Sequence, residues 1–259
     1  MPELPDLQAF SRNLTKKLVG KKVENLHALY KKKLKTPEKD FQEALEGAKL
    51  MSVYREGKEL HFAFDNGNVL GLHLMLKGEL SLFEGKNDKK YPIIELLFSD
   101  GTGLAMTDWQ GQATPTLNPD QRDAPDALSK TVNYQFLKEA LSSSKAAIKK
   151  LLMDQQVIRG IGNAYADEIL WASRISPFSI CNKVPDTAIK ALAKSIRSVL
   201  TKAEKTILKT NPDIISGETR DFLPIHNARK KESPTGKKIR METTGGRKTY
   251  YTNEQKCYE

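Results

Sequence analysis

The chain opens MPELP, with Pro2 directly behind the initiator methionine and Pro5 three residues on. A proline in the first turn of a helix costs nothing, because the N–H it lacks would have no partner there, and this accounts for Pro5. It does not account for Pro2. Once Met1 is removed, Pro2 is a terminal secondary amine. An α-amino group titrates near pH ~8, so a usable fraction is unprotonated at neutral pH. Such an amine is a nucleophile that forms Schiff bases with carbonyl-like carbons. A second stretch, DQQVIRGIGNAYADEILWASRISP (154–177), suggests chemistry of another kind. Gly160 and Gly162 flank Ile161 in a tight turn, and Asn163 stands at the N-cap of a helix beginning near Ala164. A helix N-terminus presents unpaired N–H groups and the positive end of the dipole, which suits a phosphate. Asn163 either adds a donor to that anion or only caps its helix.

The elements that must position these residues are legible in part. Leu7, Phe10, Leu14 and Leu18 recur at helical spacing, with Pro5 to open the helix and Gly20 to close it. Strand signals run from about residue 22 to 108. ELHFAFDNGNVLGLHL is two alternating runs around Asn66-Gly67, a hairpin signature, and IIELLFSDGTGLAMT repeats it around Asp100-Gly101. GQATPTLNPDQRDAPDALSK reads as a linker or long loop. Beyond it the chain turns helical, with Ile189, Leu192, Ile196, Val199, Leu200, Ala203 and Ile207 on one face of a helix over roughly 187–208. From about 216 the chain is polar and basic, with a short strand signal at RKTYYT.

The 259 residues allow one large domain or two ordinary ones. With 42 Lys+Arg against 32 Asp+Glu, the net charge is +10, which favours a polyanion partner, nucleic acid first. A basic RNA-binding protein would explain that charge but not MPELP. No run of about 18 apolar residues predicts a membrane span, and no secretion signal is visible, so a cytoplasmic, nucleoid-associated protein is expected. Cys181 and Cys257 make neither a disulfide framework nor a zinc quartet, which fits a reducing compartment.

Four motifs together carry a resemblance. MPELPD, REGKEL (55–60), the 154–177 stretch and GGRKTYY (245–251) resemble, in that order, motifs of the formamidopyrimidine-DNA glycosylase / endonuclease VIII family. The resemblance implies an α+β fold: an N-terminal catalytic antiparallel β-sandwich with a flanking helix (1–115), a linker (116–133), a helix–two-turn–helix domain (134–215) and a C-terminal β-hairpin finger (216–259). It implies a base-excision-repair glycosylase with abasic-site lyase activity on oxidised bases. Pro2 resembles the family's nucleophile, attacking C1′ of the damaged nucleotide, and Glu3 the proton-handling carboxylate beside it. Lys58 resembles its phosphate contact near the lesion, and Asn163 and Arg247 resemble the pair that grips the phosphates flanking the flipped nucleotide. Lys149, on the preceding helix, is a further DNA contact or a solvated helix face. It implies damaged double-stranded DNA as the partner, from which the nucleotide must be extruded. A monomer without a cofactor is expected.

The sequence also departs from the family pattern. Asp6 stands where the family usually has glutamate. The family commonly ends in a four-cysteine zinc finger, but here Thr235, Thr252 and Gln255 occupy cysteine positions and Cys257 lies outside the pattern. One thiol cannot hold a tetrahedral zinc, so a zincless finger without metal is expected, with Ile239, Met241, Tyr250 and Tyr251 packing in the metal's place. The methionine that fills the gap left by the flipped base aligns with Leu76, and Met75 is adjacent. DWQGQA (108–113) replaces the family's Asp-Pro-Arg-Arg-Phe-Gly loop. Trp109, with Gln110 beside it, is read as a DNA contact wedging between bases, or else as a core or loop-anchoring tryptophan. The altered loop motivates an alternative: a non-catalytic or lyase-only binder of damaged DNA on the same scaffold.

Overall fold

A computed structural model describes residues 1–30, 34 and 36–259. The chain divides into two compact units, one made of residues 1–121 and 207–218, the other of 122–206 and 219–259.

The first unit begins with α1 (Leu4–Leu18), whose entry is a reciprocal capping box between Glu3 and Asp6, the Glu3 N–H donating to Asp6 Oδ2 at 2.9 Å. Leu7, Phe10, Leu14 and Leu18 are buried at the predicted spacing. Gly20, at φ +92°, ends the helix as expected and donates to the Leu50 carbonyl at 2.8 Å. Eight strands follow: β1 (Val23–Ala28), β2 (Leu50–Glu56), β3 (Glu59–Phe64), β4 (Val69–His73), β5 (Glu79–Glu84), β6 (Pro92–Phe98), β7 (Thr102–Thr107) and β8 (Thr114–Leu117), with α2 (Glu38–Leu45) between β1 and β2. They form two antiparallel four-stranded sheets, ordered β1-β6-β7-β5 and β2-β3-β4-β8. Apolar side chains of both sheets and of α1 and α2 share one buried cluster, including Phe10, Phe41, Phe62, Leu72, Leu96 and Met106. This is the expected β-sandwich with its flanking helix. Both predicted hairpins form, with Gly67 and Gly101 each at φ +85° in the turns.

The second unit holds α3 (Tyr134–Ser142), α4 (Ile148–Met153), α5 (Asn163–Ala172), the greater part of α6 (Asp186–Thr210) and a hairpin of β9 (Arg240–Thr244) with β10 (Arg247–Tyr251). The stretch read as a linker is more structured than its composition suggests. Its start is strand β8, and 122–133 cluster with the second unit around Arg159. That residue's N–H and carbonyl pair with Pro125 and Ala127 at 2.9 Å. Between α4 and α5, Gln155 organises the two-turn segment, accepting from the Gly160 N–H and donating to the Met153 and Ile161 carbonyls, each at 2.9 Å. No helix among the described residues is long and apolar enough to cross a membrane.

The finger is held differently from the apolar packing expected. Met241 is exposed, Ile239 and Tyr251 are half-buried, and only Tyr250 is buried. The positions expected to be cysteine carry hydrogen-bonding groups instead. Thr235 and Thr252 donate to Glu254 Oε2 at 2.7 and 3.2 Å, and Gln255 bridges the Thr252 N–H and the Ile175 carbonyl, each at 2.8 Å. Thr252 and Gln255 are buried, so these polar groups need partners and supply them to one another. Hydroxyls and an amide do not fit zinc, which takes thiolate, imidazole or carboxylate. Among the described residues no group of three His, Cys, Asp or Glu is arranged to hold a metal.

Candidate active site and nucleic-acid interface

Pro2, Glu3, Lys58, Met75, Leu76, Trp109 and Gln110 belong to the first unit, and Lys149, Asn163 and Arg247 to the second. In the first, Pro2 and Glu3 are buried at the mouth of α1. The Met1 ammonium pairs with the Glu218 carboxylate. Lys58 is half-buried in the β2–β3 turn, where Gly57 takes φ +57°. Arg55 fixes that turn: its Nη1 donates to the Gly57 carbonyl at 3.0 Å and its Nε to Gln8 Oε1, on α1, at 3.1 Å. The element that presents Pro2 and Glu3 is thereby tied to the turn that presents Lys58.

Two loops of the same unit display apolar groups. In the 74–78 turn, Gly78 donates to the Leu74 carbonyl at 2.7 Å. A Cβ at Gly78 would lie 2.3 Å from that oxygen, so only glycine fits. Met75 is half-buried with φ +51°, and Leu76 is 55% exposed, so Leu76 is the residue presented. In the 108–113 loop, the buried Asp108 carboxylate accepts the N–H groups of Gln110, Gln112 and Ala113 at 2.7–2.8 Å. Asp108 anchors the loop, and Trp109, at 62% exposed, neither anchors it nor joins a core. Gln110 is half-buried. Tyr91, also exposed and at φ +61°, receives the Asp108 N–H on its carbonyl at 3.0 Å. Sequence reading missed it; its position before Pro92, at a strand start, was the only signal.

In the second unit the sequence placed Asn163 at the N-cap, but Gly162 is the cap and Asn163 the first helical residue of α5. Its Nδ2 donates to the Lys248 carbonyl at 3.0 Å, bracing the helix start against β10. An amide nitrogen carries two hydrogens, so one donor remains for an anion. Lys149 does not lie on a solvated face. It is buried, its Nζ 2.7 Å from Asp167 Oδ1 and 2.8 Å from Thr249 Oγ1. Asp167, wholly buried, also meets His226 Nδ1 at 2.7 Å and accepts the Tyr250 N–H at 2.9 Å. The neighbouring Glu168 accepts the Ile225 and His226 N–H groups on Oε1 at 2.9 and 2.7 Å. Burial pushes the Glu168 carboxyl up to about 7, against those two hydrogen bonds. Asp167, Glu168 and His226 went unnoticed in the sequence. Two acids inside the apolar run AYADEILWA were the available signal, since buried charges require partners. Arg247 is exposed at the β9–β10 turn, behind Gly245 and Gly246 at φ +57° and +74°.

The chain is similar to known proteins over nearly its whole length. Residues 1–114 match the formamidopyrimidine-DNA glycosylase N-terminal domain, and residues 124–211 match the formamidopyrimidine-DNA glycosylase H2TH domain. The formamidopyrimidine-DNA glycosylase of Pelotomaculum thermopropionicum is 32% identical, with 97% of each chain covered. That of Ligilactobacillus salivarius is 28% identical over the same shares. Among solved structures, Lactococcus lactis Fpg in complex with DNA containing an abasic site superposes with a TM-score of 0.87 at 25% identity, covering 97% of this chain and 98% of that one. The wild-type Lactococcus lactis enzyme in complex with DNA containing an oxidized pyrimidine gives 0.86 at 26% identity, over the same shares. The chain belongs to the formamidopyrimidine-DNA glycosylase family, DNA glycosylases of base excision repair.

Proposed function

We propose that the chain is a bifunctional glycosylase and abasic-site lyase acting on oxidised bases in duplex DNA, with Pro2 as nucleophile. The observation that carries this reading is the buried Pro2-Glu3 pair at the capped start of α1, tied through Gln8 and Arg55 to the turn bearing Lys58. Glu3 protonates the sugar ring oxygen, which makes C1′ of the extruded nucleotide electrophilic. The Pro2 nitrogen gives its lone pair to C1′, the glycosidic C–N bond breaks with its electrons leaving on the base, and the base takes up the proton that the Pro2 nitrogen sheds. The ring C1′–O bond then breaks with its electrons on the protonated oxygen, and an iminium joins Pro2 to C1′. Loss of a C2′ proton then expels the 3′-phosphate, and a second elimination expels the 5′-phosphate. Lys58, Asn163 and Arg247 hold backbone phosphates, Arg247 as a planar fork. Leu76 fills the space the nucleotide vacates and Trp109 wedges between bases. The DNA-bound Lactococcus lactis relatives support this substrate class.

Met1 must be removed first, because an amide nitrogen's lone pair is delocalised. The test is borohydride reduction in the presence of abasic duplex, followed by peptide mass mapping. Processed protein should give an adduct at Pro2, and protein retaining Met1 should bind without being trapped. An adduct on Lys58, or equal cutting by blocked protein, overturns the mechanism. No adduct at all would leave a binder on the same scaffold.

A further inference from the structure

The residues assigned to the lesion leave the cations of α6 without a role. One face of α6 is apolar, with Ile189, Leu192, Ile196, Leu200 and Ala203 buried. Another face borders an open groove of about 1070 Å³ lined by Lys194, Arg197, Lys202 and Lys205, with Lys130 from the 122–133 segment, and no carboxylate lines it. Three nearby acids, two on α6 and one on α3, are otherwise placed. Asp186 pairs with Lys138 at 2.8 Å, Glu139 accepts from Gln135 at 2.8 Å, and Glu204 is buried. Arg197 is fixed in place by Nη2 bonds to the Leu128 and Ser129 carbonyls at 3.1 and 3.2 Å. The four lysines are exposed and, among the described residues, have no carboxylate partner.

Five like charges around one groove repel one another, and only a polyanion relieves all of them at once. Lys194 and Lys205 are eleven residues apart, about 16 Å along a helix at ~1.5 Å per residue. A compact anion reaches two or three of these groups. A duplex strand carries a charge per ~3.4 Å of axis, so several phosphates fall within that span. We propose that the α6 groove binds the sugar–phosphate backbone of undamaged duplex DNA, as a contact separate from the lesion-binding residues. The choice of DNA as occupant rests on the function proposed above. Such a contact would keep the protein on DNA between lesions.

The test uses the full chain carrying K194E, K202E and K205E together. All three side chains are exposed, so the melting temperature should match wild type. Affinity for undamaged duplex should fall at least about tenfold, and the plot of log affinity against log salt should flatten by roughly 2 to 3, at ~0.9 per lost phosphate contact. Trapping on a short abasic duplex should be unchanged. Wild-type affinity and slope in the variant overturn the proposal, as does single-stranded RNA held more tightly than duplex by a groove that the substitutions disable. If wild type fails to trap on abasic DNA while the variant still loses duplex affinity, the catalytic reading falls and the groove stands. Should the variant not fold, lysine acylation of wild type decides: duplex, and not inorganic phosphate, should protect Lys194, Lys202 and Lys205.

Discussion

Glu168 accepts two backbone N–H groups on one oxygen, and its other oxygen has no hydrogen-bond partner among the described residues. With 1% exposure, it is a site for a neutral acid, and its carboxyl titrates near 7 against an ordinary value of 4.5. Between those values the unfolded chain releases a proton that the folded chain keeps. Stability contributed by the neutral acid is full below about pH 4.5 and is lost as pH rises through about 7, by up to about 3 kcal/mol. Glu168→Gln keeps the acceptor and removes the titration, so its denaturation midpoint should be flatter over that window; an unchanged decline would place the proton elsewhere. Glu3→Gln asks a different question of a different carboxylate. It should abolish base removal and largely spare cleavage of preformed abasic sites, since only the first step needs the ring oxygen protonated. Equal loss of both steps in single-turnover assays would deny Glu3 that role. Pro2, Glu3, Lys58 and Arg247 could be singled out because each sits in a short contiguous motif. Glu168, Asp167 and His226 could not, because their partners are 57 to 59 residues away in the chain.

Strand β10 depends on such distant contacts. Lys149 from α4 and Asp167 from α5 hold it through Thr249 and the Tyr250 N–H, and Asn163 holds the Lys248 carbonyl. Removing one partner of a buried ion pair leaves the other uncompensated, typically at a cost of about 3–5 kcal/mol. Asp167→Asn should therefore destabilise strongly, and adding Lys149→Met should recover part of the loss. Additive losses in urea denaturation would mean the two side chains do not act as a pair. The hairpins of the sandwich were legible because alternation and an Asn-Gly or Asp-Gly turn specify them locally. The finger's internal order was not: its strands could be read, but the joining of Thr235 to Thr252 through Glu254, and of Thr252 to Gln255, depends on side-chain geometry that spacing does not encode. Because hydroxyls and an amide hold that region, prolonged chelation should leave both melting temperature and abasic-site cleavage unchanged. Loss of either, with stoichiometric zinc on elemental analysis, would refute this account of the finger. Gln255→Ala should cost about 1–3 kcal/mol by orphaning buried groups.

At the scale of the molecule, the net charge of +10 makes DNA association electrostatic, but its cations are not equivalent. A cation contributes to the salt slope only if binding pairs it with a phosphate and so releases a counterion. Arg247 is exposed, and in the proposed function it meets backbone. Lys149 has comparable formal charge, but its Nζ is already paired with Asp167 inside the second unit. Arg247→Ala should therefore lower affinity for all duplex sequences alike and flatten the salt slope by about 1. Lys149→Met should leave the slope within error of wild type at temperatures where the protein remains folded, whatever it does to stability. Asn163, being neutral, should lower affinity when changed to Ala without altering the slope. Anisotropy titrations of one short lesion duplex over a salt series separate these outcomes. If Lys149→Met flattens the slope as much as Arg247→Ala does, the Lys149–Asp167 pair opens on DNA and β10 is released on binding. If Arg247→Ala changes affinity only for particular bases, Arg247 reads sequence and the grip on the backbone must be reassigned.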